Sequence, residues 1–346
     1  MKLLVIRMSS IGDVLLTTPL LRCLKQQLPG VEVHFLTKSG MASLVETNPH
    51  VDKVHILQES LSATVKMLRA EHFDFVADLH NVPRSRRLRR RLHVRWKSYR
   101  KNTLAKWLQI ITKRAPKKGR HVVERYFDAV RPLGVHPDDK GLECYLPSSM
   151  DVAAFANSTI GKSKVADLTA QPYVVIACGA QHATKRIPPD KLQFLASTIK
   201  KPILLLGDKG DAERIRQREL HFQPHVHNLC GKTTLMQTAA LVRTAAVVVT
   251  PDTGIMHLAA AFQVPTIALW GATDPAFGFS AYHTLHADCV SDSCWCHPCS
   301  RTGGERCPLG HYNCMNHQKW QQICQTLERM VSAKTQQTSA TDKKNL

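Results

Sequence analysis

Short apolar runs separated by amphipathic stretches set the rhythm of this chain. Leu3 to Ile6, Val31 to Leu36, Val54 to Ile56 and Phe75 to Asp78 read as buried strands. Between them, Val14 to Leu28 predicts a helix with Pro19 inside its first turns. Met41 to Glu46 predicts a short helix and Ala63 to Ala70 another. Val122 to Leu133 predicts a long helix closed by Gly134. This alternation of strand and helix points to a mainly parallel sheet with helices on both faces.

The pattern restarts with strands at Tyr173 to Ala177, Ile203 to Leu206, Val247 to Val249 and Thr266 to Leu269. Each hands over to a glycine-containing or polar loop, and in doubly wound sheets ligands bind beyond the carboxyl ends of the strands. The stretch 148–171 is polar and poor in aromatics. The expected organisation is a Rossmann-like domain at 1–150, a linker region at 151–171 and a second Rossmann-like domain at 172–331. A polar, disordered tail at 332–346 completes it. The fold class is α/β, with two doubly wound domains facing a cleft.

Composition narrows the setting. A chain of 346 residues is long enough for two domains with separate cores. No apolar run approaches the roughly 20 residues that cross a bilayer. The N-terminus reads as a first strand rather than a signal peptide, so a cytoplasmic location is expected. The net charge of +20 is unevenly placed: between Arg84 and Arg120 stand 16 Lys or Arg and no Asp or Glu. Nucleic acid, an anionic membrane surface and a phosphorylated substrate each suit such a patch. Aromatics are sparse there, no nucleic-acid motif accompanies them, and Leu104, Trp107, Leu108 and Ile111 recur at helical spacing. An amphipathic basic helix near a membrane or an anionic acceptor fits better, and no nucleic-acid partner is expected.

Four loops at strand ends carry chemistry. Residues 250–257, Thr-Pro-Asp-Thr-Gly-Ile-Met-His, end a strand and start a small-residue helix. A helix N-terminus offers free N–H groups and a positive dipole end to an anion. Asp252 or Thr253 is placed to cap it, Gly254 lets a ligand approach the backbone, and His257 lies within about one turn. The loop Ser9-Ser10-Ile11-Gly12-Asp13 lacks both the G-x-G-x-x-G and the P-loop pattern. It displays Asp13 at a helix start, as a first-turn acid or as a general base. Thr184, Lys185 and Arg186, beyond Gly179, add a hydroxyl and cations suited to a diphosphate. Asp208, Asp211 and Glu213 follow Gly207, as acceptors for ribose hydroxyls or as solvated turn acids.

Taken together, these loops resemble glycosyltransferase family 9, the ADP-heptose:lipopolysaccharide heptosyltransferases. The matching motifs are residues 9–13, Thr184-Lys185-Arg186-Ile187-Pro188, Asn228-Leu229-Cys230-Gly231-Lys232-Thr233 and Asp252-Thr253-Gly254-Ile255-Met256-His257. Cys307-Pro308-Leu309-Gly310-His311 with Cys314-Met315 follows, in the same order as in the family. The resemblance implies a GT-B fold, with the acceptor bound by the first domain and the nucleotide-sugar by the second. It implies inverting, metal-independent transfer, with Asp13 and Lys185 as catalytic residues: Asp13 the general base, Lys185 facing the diphosphate. Thr184, Asp211, Glu213, Asp252, Thr253, Gly254 and His257 fall on the donor side. Ser9, Ser10, Gly12, Arg86, Arg87 and Arg90 fall on the acceptor side. No cofactor is required, the donor is ADP-heptose, and the acceptor is a glycolipid of the Kdo–lipid A type. The enzyme is expected to be a monomer, peripheral at the inner face of the cytoplasmic membrane. Ile187 departs from the aromatic common in relatives. Another nucleotide-sugar, a capsular acceptor, or a catalytically silent polyanion- or membrane-binding homologue are the competing readings.

Seven of the eleven cysteines cluster towards the end of the chain, from Cys289 to Cys324. Cys296 and Cys299 with Cys307 and Cys314 form a candidate zinc set, though the spacing is not that of a paired C-x-x-C site. In a reducing compartment, reduced structural thiols are the leading expectation.

Overall fold

The computed structural model describes residues 1–114, 119–148, 150 and 171–342, with side chains to residue 334 in the last helix. The chain forms two compact units, Met1–Asn102 with Gly119–Pro147, and Thr103–Lys118 with Ser148–Leu346.

The first unit is a five-stranded, all-parallel sheet of order β3-β2-β1-β4-β5. Its strands are β1 (Lys2–Ile6), β2 (Glu32–Thr37), β3 (Lys53–Ile56), β4 (Phe75–Asp78) and β5 (Arg95–Ser98). The central pairs run Ile6 beside Leu36 and Ile6 beside Asp78. Helices α1 (Ile11–Leu15), α2 (Thr18–Gln27), α3 (Leu61–Arg69), α4 (Pro83–Leu92) and α6 (Val122–Tyr126) belong to this unit, while α5 (Thr103–Thr112) belongs to the other. Fully buried Leu4, Ile6, Leu36 and Val76 meet Leu68 and Leu88 in its core, so continuous apolar strands here mark burial on both faces.

Several expected boundaries shift for identifiable reasons. The helix expected over Val14 to Leu28 is two helices, because Pro19 cannot continue one and instead starts the first turn of α2. Met41 to Glu46 lies within a tight 3₁₀ turn at Ser39–Leu44 and its exit. The long helix at 122–133 ends at Tyr126 and continues as 3₁₀ turns around Pro132, with Gly134 closing it in the left-handed region as expected (φ 74°).

The second unit is a six-stranded, all-parallel sheet of order β11-β10-β9-β6-β7-β8. Its strands are β6 (Val174–Ala177), β7 (Ile203–Leu206), β8 (Val226–Asn228), β9 (Val247–Pro251), β10 (Thr266–Trp270) and β11 (His286–Val290). Helices α7 (Pro189–Thr198), α8 (Lys209–Gln217), α9 (Leu235–Arg243), α10 (Gly254–Ala261), α11 (Asn313–Asn316) and α12 (Trp320–Asp342) accompany it. Ile323, Leu327, Met330 and Val331 of α12 close the core against Leu192 and Leu195 of α7.

Two of the sequence expectations for the domains change. The tail does not begin at 332: α12 runs on to Asp342, and the Lys334 ammonium donates to the Ala245 carbonyl at 2.6 Å. Its polar Gln, Lys and Ala residues are adequate helix formers even without an apolar face; residues 343–346 lie outside the described residues. The second unit also reclaims Thr103–Lys118 from within the expected first domain. The expected linker, except for Gln171, lies outside the described residues.

Candidate functional site

In both sheets the strand order reverses at one place, between β1 and β4 in the first and between β6 and β9 in the second. Loops diverge from such a switch point and leave a crevice. The sequence-predicted residues concentrate at these two points.

At the first switch point, α1 begins directly after the β1 loop, which places Asp13 in its first turn. Arg7, at the end of β1, reaches the Asp13 carboxylate at 2.6 Å. The same guanidinium donates to the Leu79 carbonyl beyond β4 (2.5 Å) and to Ser9 O (3.0 Å). The Asp13 carboxylate also accepts from the Ser10 N–H (3.3 Å) and hydroxyl (2.9 Å). Burial pushes the Asp13 carboxyl up, but the charge and hydrogen bond of Arg7 and the Ser10 donors outweigh it, so the group lies below the usual carboxylate range. Asp13 is therefore ionised at neutral pH, as a base must be. Gly12 is buried in α1, while Ser9 and Ser10 are progressively more exposed.

The wall of this site is built by residues that sequence reasoning gave no role. Arg7 sits 5.8 Å from the centre of the Tyr126 ring, which Tyr99 meets edge-on at 4.9 Å. Burial, with the charges of Arg7 and Lys101, holds His80 down to about 4, so it is neutral. Burial and then the charge of Arg7 lower Lys101 as well, with Arg86 adding to the effect. Below them, fully buried Asp78 accepts from the His80 and Asn81 N–H groups, the Ser85 hydroxyl and Arg89 at 2.6 Å. Arg89 in turn stacks 3.7 Å from the Trp96 ring centre. Anchored this way, α4 presents Arg86, Arg87 and Arg90 to solvent, with Arg86 Nε donating to Asn81 Oδ1 at 2.9 Å.

At the second switch point, Lys185, after β6, meets Asp252, after β9, at 2.7 Å. The Thr273 hydroxyl donates to the same carboxylate at 2.9 Å. Asp252 is thus not the cap of α10; Thr253 holds the N-cap position, but its side chain makes no capping hydrogen bond, and its hydroxyl meets that of Thr250 at 3.0 Å. This corrects the expected capping: no side-chain cap occupies the N-terminus that starts at Gly254, which keeps its amides available to an anion. His257 lies in the first turn of α10 and is 4% exposed.

Thr184 and Lys185 are braced from a distance in sequence. The Gly304 N–H donates to Thr184 Oγ1 (2.9 Å), and the Thr184 N–H donates to the Gly304 carbonyl (3.1 Å). Gly303 has φ +99°, and a Cβ there would lie 2.7 Å from His182 Cβ and 3.0 Å from Lys185 Cε. Only glycine suits that backbone and that contact. No sequence signal marked this contact across more than a hundred residues.

The third loop serves a different purpose. Asp208 and Asp211 exchange side-chain-to-backbone hydrogen bonds at 2.8 Å as a capping pair of α8. The Asp211 carboxylate, paired with Arg214, lies where a Cβ at Gly179 or Gly207 would fall. Glu213 points along the outer face of α8 to Arg216 and Gln217. The structure brings neither carboxylate into the Lys185–Asp252 pair.

All eleven cysteines are free thiols. Cys294 and Cys296 bring their sulfurs to 3.5 Å, and Cys296 Sγ lies 3.7 Å from His311 Nε2. Among the described residues, no three of Cys296, Cys299, Cys307 and Cys314 gather their sulfurs within 4.8 Å of one another. Cys314 sits on α11 in the core, where burial raises its thiol to about 12, and burial raises Cys294 to about 11. The group whose ligand atoms do converge within 4.8 Å is His34, His55 and Glu71. There the two imidazoles share a 2.8 Å hydrogen bond and Lys53 pairs with Glu71 at 2.6 Å.

Two Rossmann-like units, one with Asp13 paired to Arg7 at its switch point and the other with Lys185 beside a helix start, make this a two-domain α/β protein. Residues 61–312 match glycosyltransferase family 9 (heptosyltransferase), and the chain belongs to that family. It is 27% identical over 289 residues to lipopolysaccharide heptosyltransferase 3 of Escherichia coli, covering 77% of this chain and 81% of that one. In fold it is similar to the E. coli ADP-heptose LPS heptosyltransferase II (TM-score 0.74, 19% identity, 97% of this chain and 100% of that one). It is also similar to E. coli heptosyltransferase WaaC with ADP-2-deoxy-2-fluoro heptose (TM-score 0.62, 22% identity, 95% and 99%). The expected GT-B α/β fold is the one observed, and the chain is a glycosyltransferase.

Proposed function

We propose that this enzyme transfers heptose from ADP-heptose to a lipopolysaccharide-core acceptor of the Kdo–lipid A type, with inversion and without a metal ion. The observation that carries this reading is the division of charge between the two switch points: ionised Asp13 at one, Lys185 beside the open α10 N-terminus at the other. Asp13 takes the proton of the acceptor hydroxyl as its oxygen attacks the anomeric carbon. The carbon–oxygen bond to the diphosphate breaks on the opposite face, and ADP leaves against Lys185 and the α10 amides. General-base catalysis supplies about 10²–10⁴-fold and preorganised charge the larger part.

Lys101 and Arg86 add positive charge around Arg7, and burial, then the charges of Arg7 and Arg86, disfavour the Lys101 ammonium. An acceptor bearing carboxylates or phosphates offsets those charges, which supports an anionic glycolipid. The family relatives and the basic segment together support a location at the inner face of the cytoplasmic membrane. The relatives above are lipopolysaccharide heptosyltransferases, and one of them is an ADP-heptose heptosyltransferase.

The test is a turnover assay with ADP-heptose, ADP-glucose, UDP-glucose and GDP-mannose against a Kdo-containing acceptor freed of its acyl chains. Selective use of ADP-heptose is expected. Turnover with a UDP- or GDP-sugar instead would overturn the donor assignment.

A further inference from the structure

Helix α5 is turned the wrong way round for a core helix. Its apolar stripe, Leu104, Trp107, Leu108 and Ile111, follows the i, i+3, i+4, i+7 spacing of one helix face. That stripe faces water: the four side chains are 80%, 47%, 61% and 72% exposed. The residue buried on the opposite side is polar Gln109, at 2% exposure. A stripe of this length left to solvent is costly and marks a contact surface.

Residues of the second unit hold the helix. Lys106 lies 4.3 Å from the Phe279 ring centre and 5.1 Å from that of Phe277. Lys113, just past the helix, donates to the carbonyls of Cys296 (2.9 Å) and Pro298 (2.8 Å). Arg301 stacks over Trp107 at 5.0 Å. The residue before Cys296 is Trp295, itself 76% exposed. The tether from Lys113 thus draws a second exposed tryptophan towards the C-terminal end of the stripe. Arg114 and Arg301 are exposed at its edges, and the segment that contains it carries 16 basic residues and no acidic one.

We infer that α5, with the Trp295 loop, is an interfacial membrane-docking element that lies in the headgroup region of an anionic bilayer. Tryptophan and leucine enter the acyl boundary while lysine and arginine meet lipid phosphates, the combination that holds amphipathic helices in the interface plane. A second copy of the chain is a poorer occupant, because its stripe brings the same cations to the contact. Among the described residues no helix is long and apolar enough to cross a membrane, so attachment of this kind is superficial. The inference rests on the membrane location proposed above and assigns it to the nucleotide-sugar unit rather than to the arginines of α4.

The experiment is sedimentation of the full chain with vesicles of phosphatidylethanolamine and 30% phosphatidylglycerol, and with pure phosphatidylcholine vesicles. Binding to the anionic vesicles is expected to fall steeply between 50 mM and 500 mM salt, since each basic residue near such a surface contributes about fivefold in affinity. Leu108→Glu and Ile111→Glu, singly, should each weaken vesicle binding at least tenfold, with turnover on the acyl-free acceptor unchanged. Trp107→Phe should retain most binding, which guards against a folding defect. Equal vesicle binding by wild type and both Glu variants overturns the inference. So does loss of a dimer in analytical ultracentrifugation on the same substitutions, which makes the stripe a subunit interface. Turnover on the soluble acceptor reports the catalytic reading separately.

Discussion

Arg7 and Asp13 face each other at 2.6 Å across the turn that joins β1 to α1, and that pair sets the acid–base character of the first switch point. The arginine lowers the proton affinity of the very group proposed to accept a proton. It keeps Asp13 ionised, and it gives up some basicity to do so. Asp13→Asn is expected to cut kcat by about 10²–10⁴-fold while ADP binding, followed by calorimetry, stays within about twofold. An Asn variant that turns over at the wild-type rate would falsify the base assignment.

Arg7→Gln tests the same pair from the other side. With the guanidinium gone, only the Ser10 donors oppose burial, and the pKa of Asp13 rises. The acid limb of the kcat/KM profile should then move to higher pH. A limb that stays where wild type has it means Arg7 does not control the titrating group.

Lys185→Met removes the cation at the second switch point and leaves Asp252 beside the incoming diphosphate. Both changes oppose a leaving anion. A fall of about 10²–10³-fold in kcat is expected, with ADP affinity also reduced. Lys185→Arg should restore part of both, since the charge matters more than its shape for a point contact.

Gly303→Ala reaches the donor side without touching a ligand. The alanine Cβ meets His182 and the Lys185 stem, at a φ that alanine rarely adopts. Strain of about 1–3 kcal/mol follows, read as a lower Tm together with a raised KM for the donor. Gly304→Ala, whose Cβ would have only the Arg306 carbonyl within 4 Å, at 3.7 Å, serves as the control.

Asp138 supplies a prediction about stability rather than rate. It holds Arg22 of α2 through hydrogen bonds of 2.7 and 2.9 Å, and the Arg22 hydrogen bond is the main cause of its drop from 3.8 to about 2. A carboxyl whose folded pKa is depressed stabilises the fold above its unfolded value and loses that contribution as pH falls through the folded one. The wild type should therefore lose urea resistance between pH 4 and pH 2 more steeply than Asp138→Asn. Parallel slopes for the two proteins would remove Asp138 from the account of acid unfolding.

The strands and loops that form the site were legible because buried parallel strands are written as unbroken apolar runs, and each run ends where its loop begins. What stayed hidden depended on contacts between distant segments. β5 reads Arg-Trp-Lys-Ser at a sheet edge, and α4 is mostly arginine, so neither has the apolar signature of an element. The role of Arg7 appears only when Leu79 and Asp13 are both placed around it. The stripe on α5 was visible as a period, but a period does not say which side faces the protein. Asp211 and Glu213 had the right chemistry for a sugar, yet the turn after β7 engages one in its own cap and points the other outward.

The chain leaves the first unit after Asn102 and re-enters it at Gly119. A fragment cut at residue 147 is therefore not the free-standing first unit. It carries α5 without the phenylalanines, carbonyls and arginine that seat it. Excision of the first unit requires Asn102 to be spliced to Gly119. Exchange of the first unit between relatives requires two junctions more than a cut at the single linker suggests.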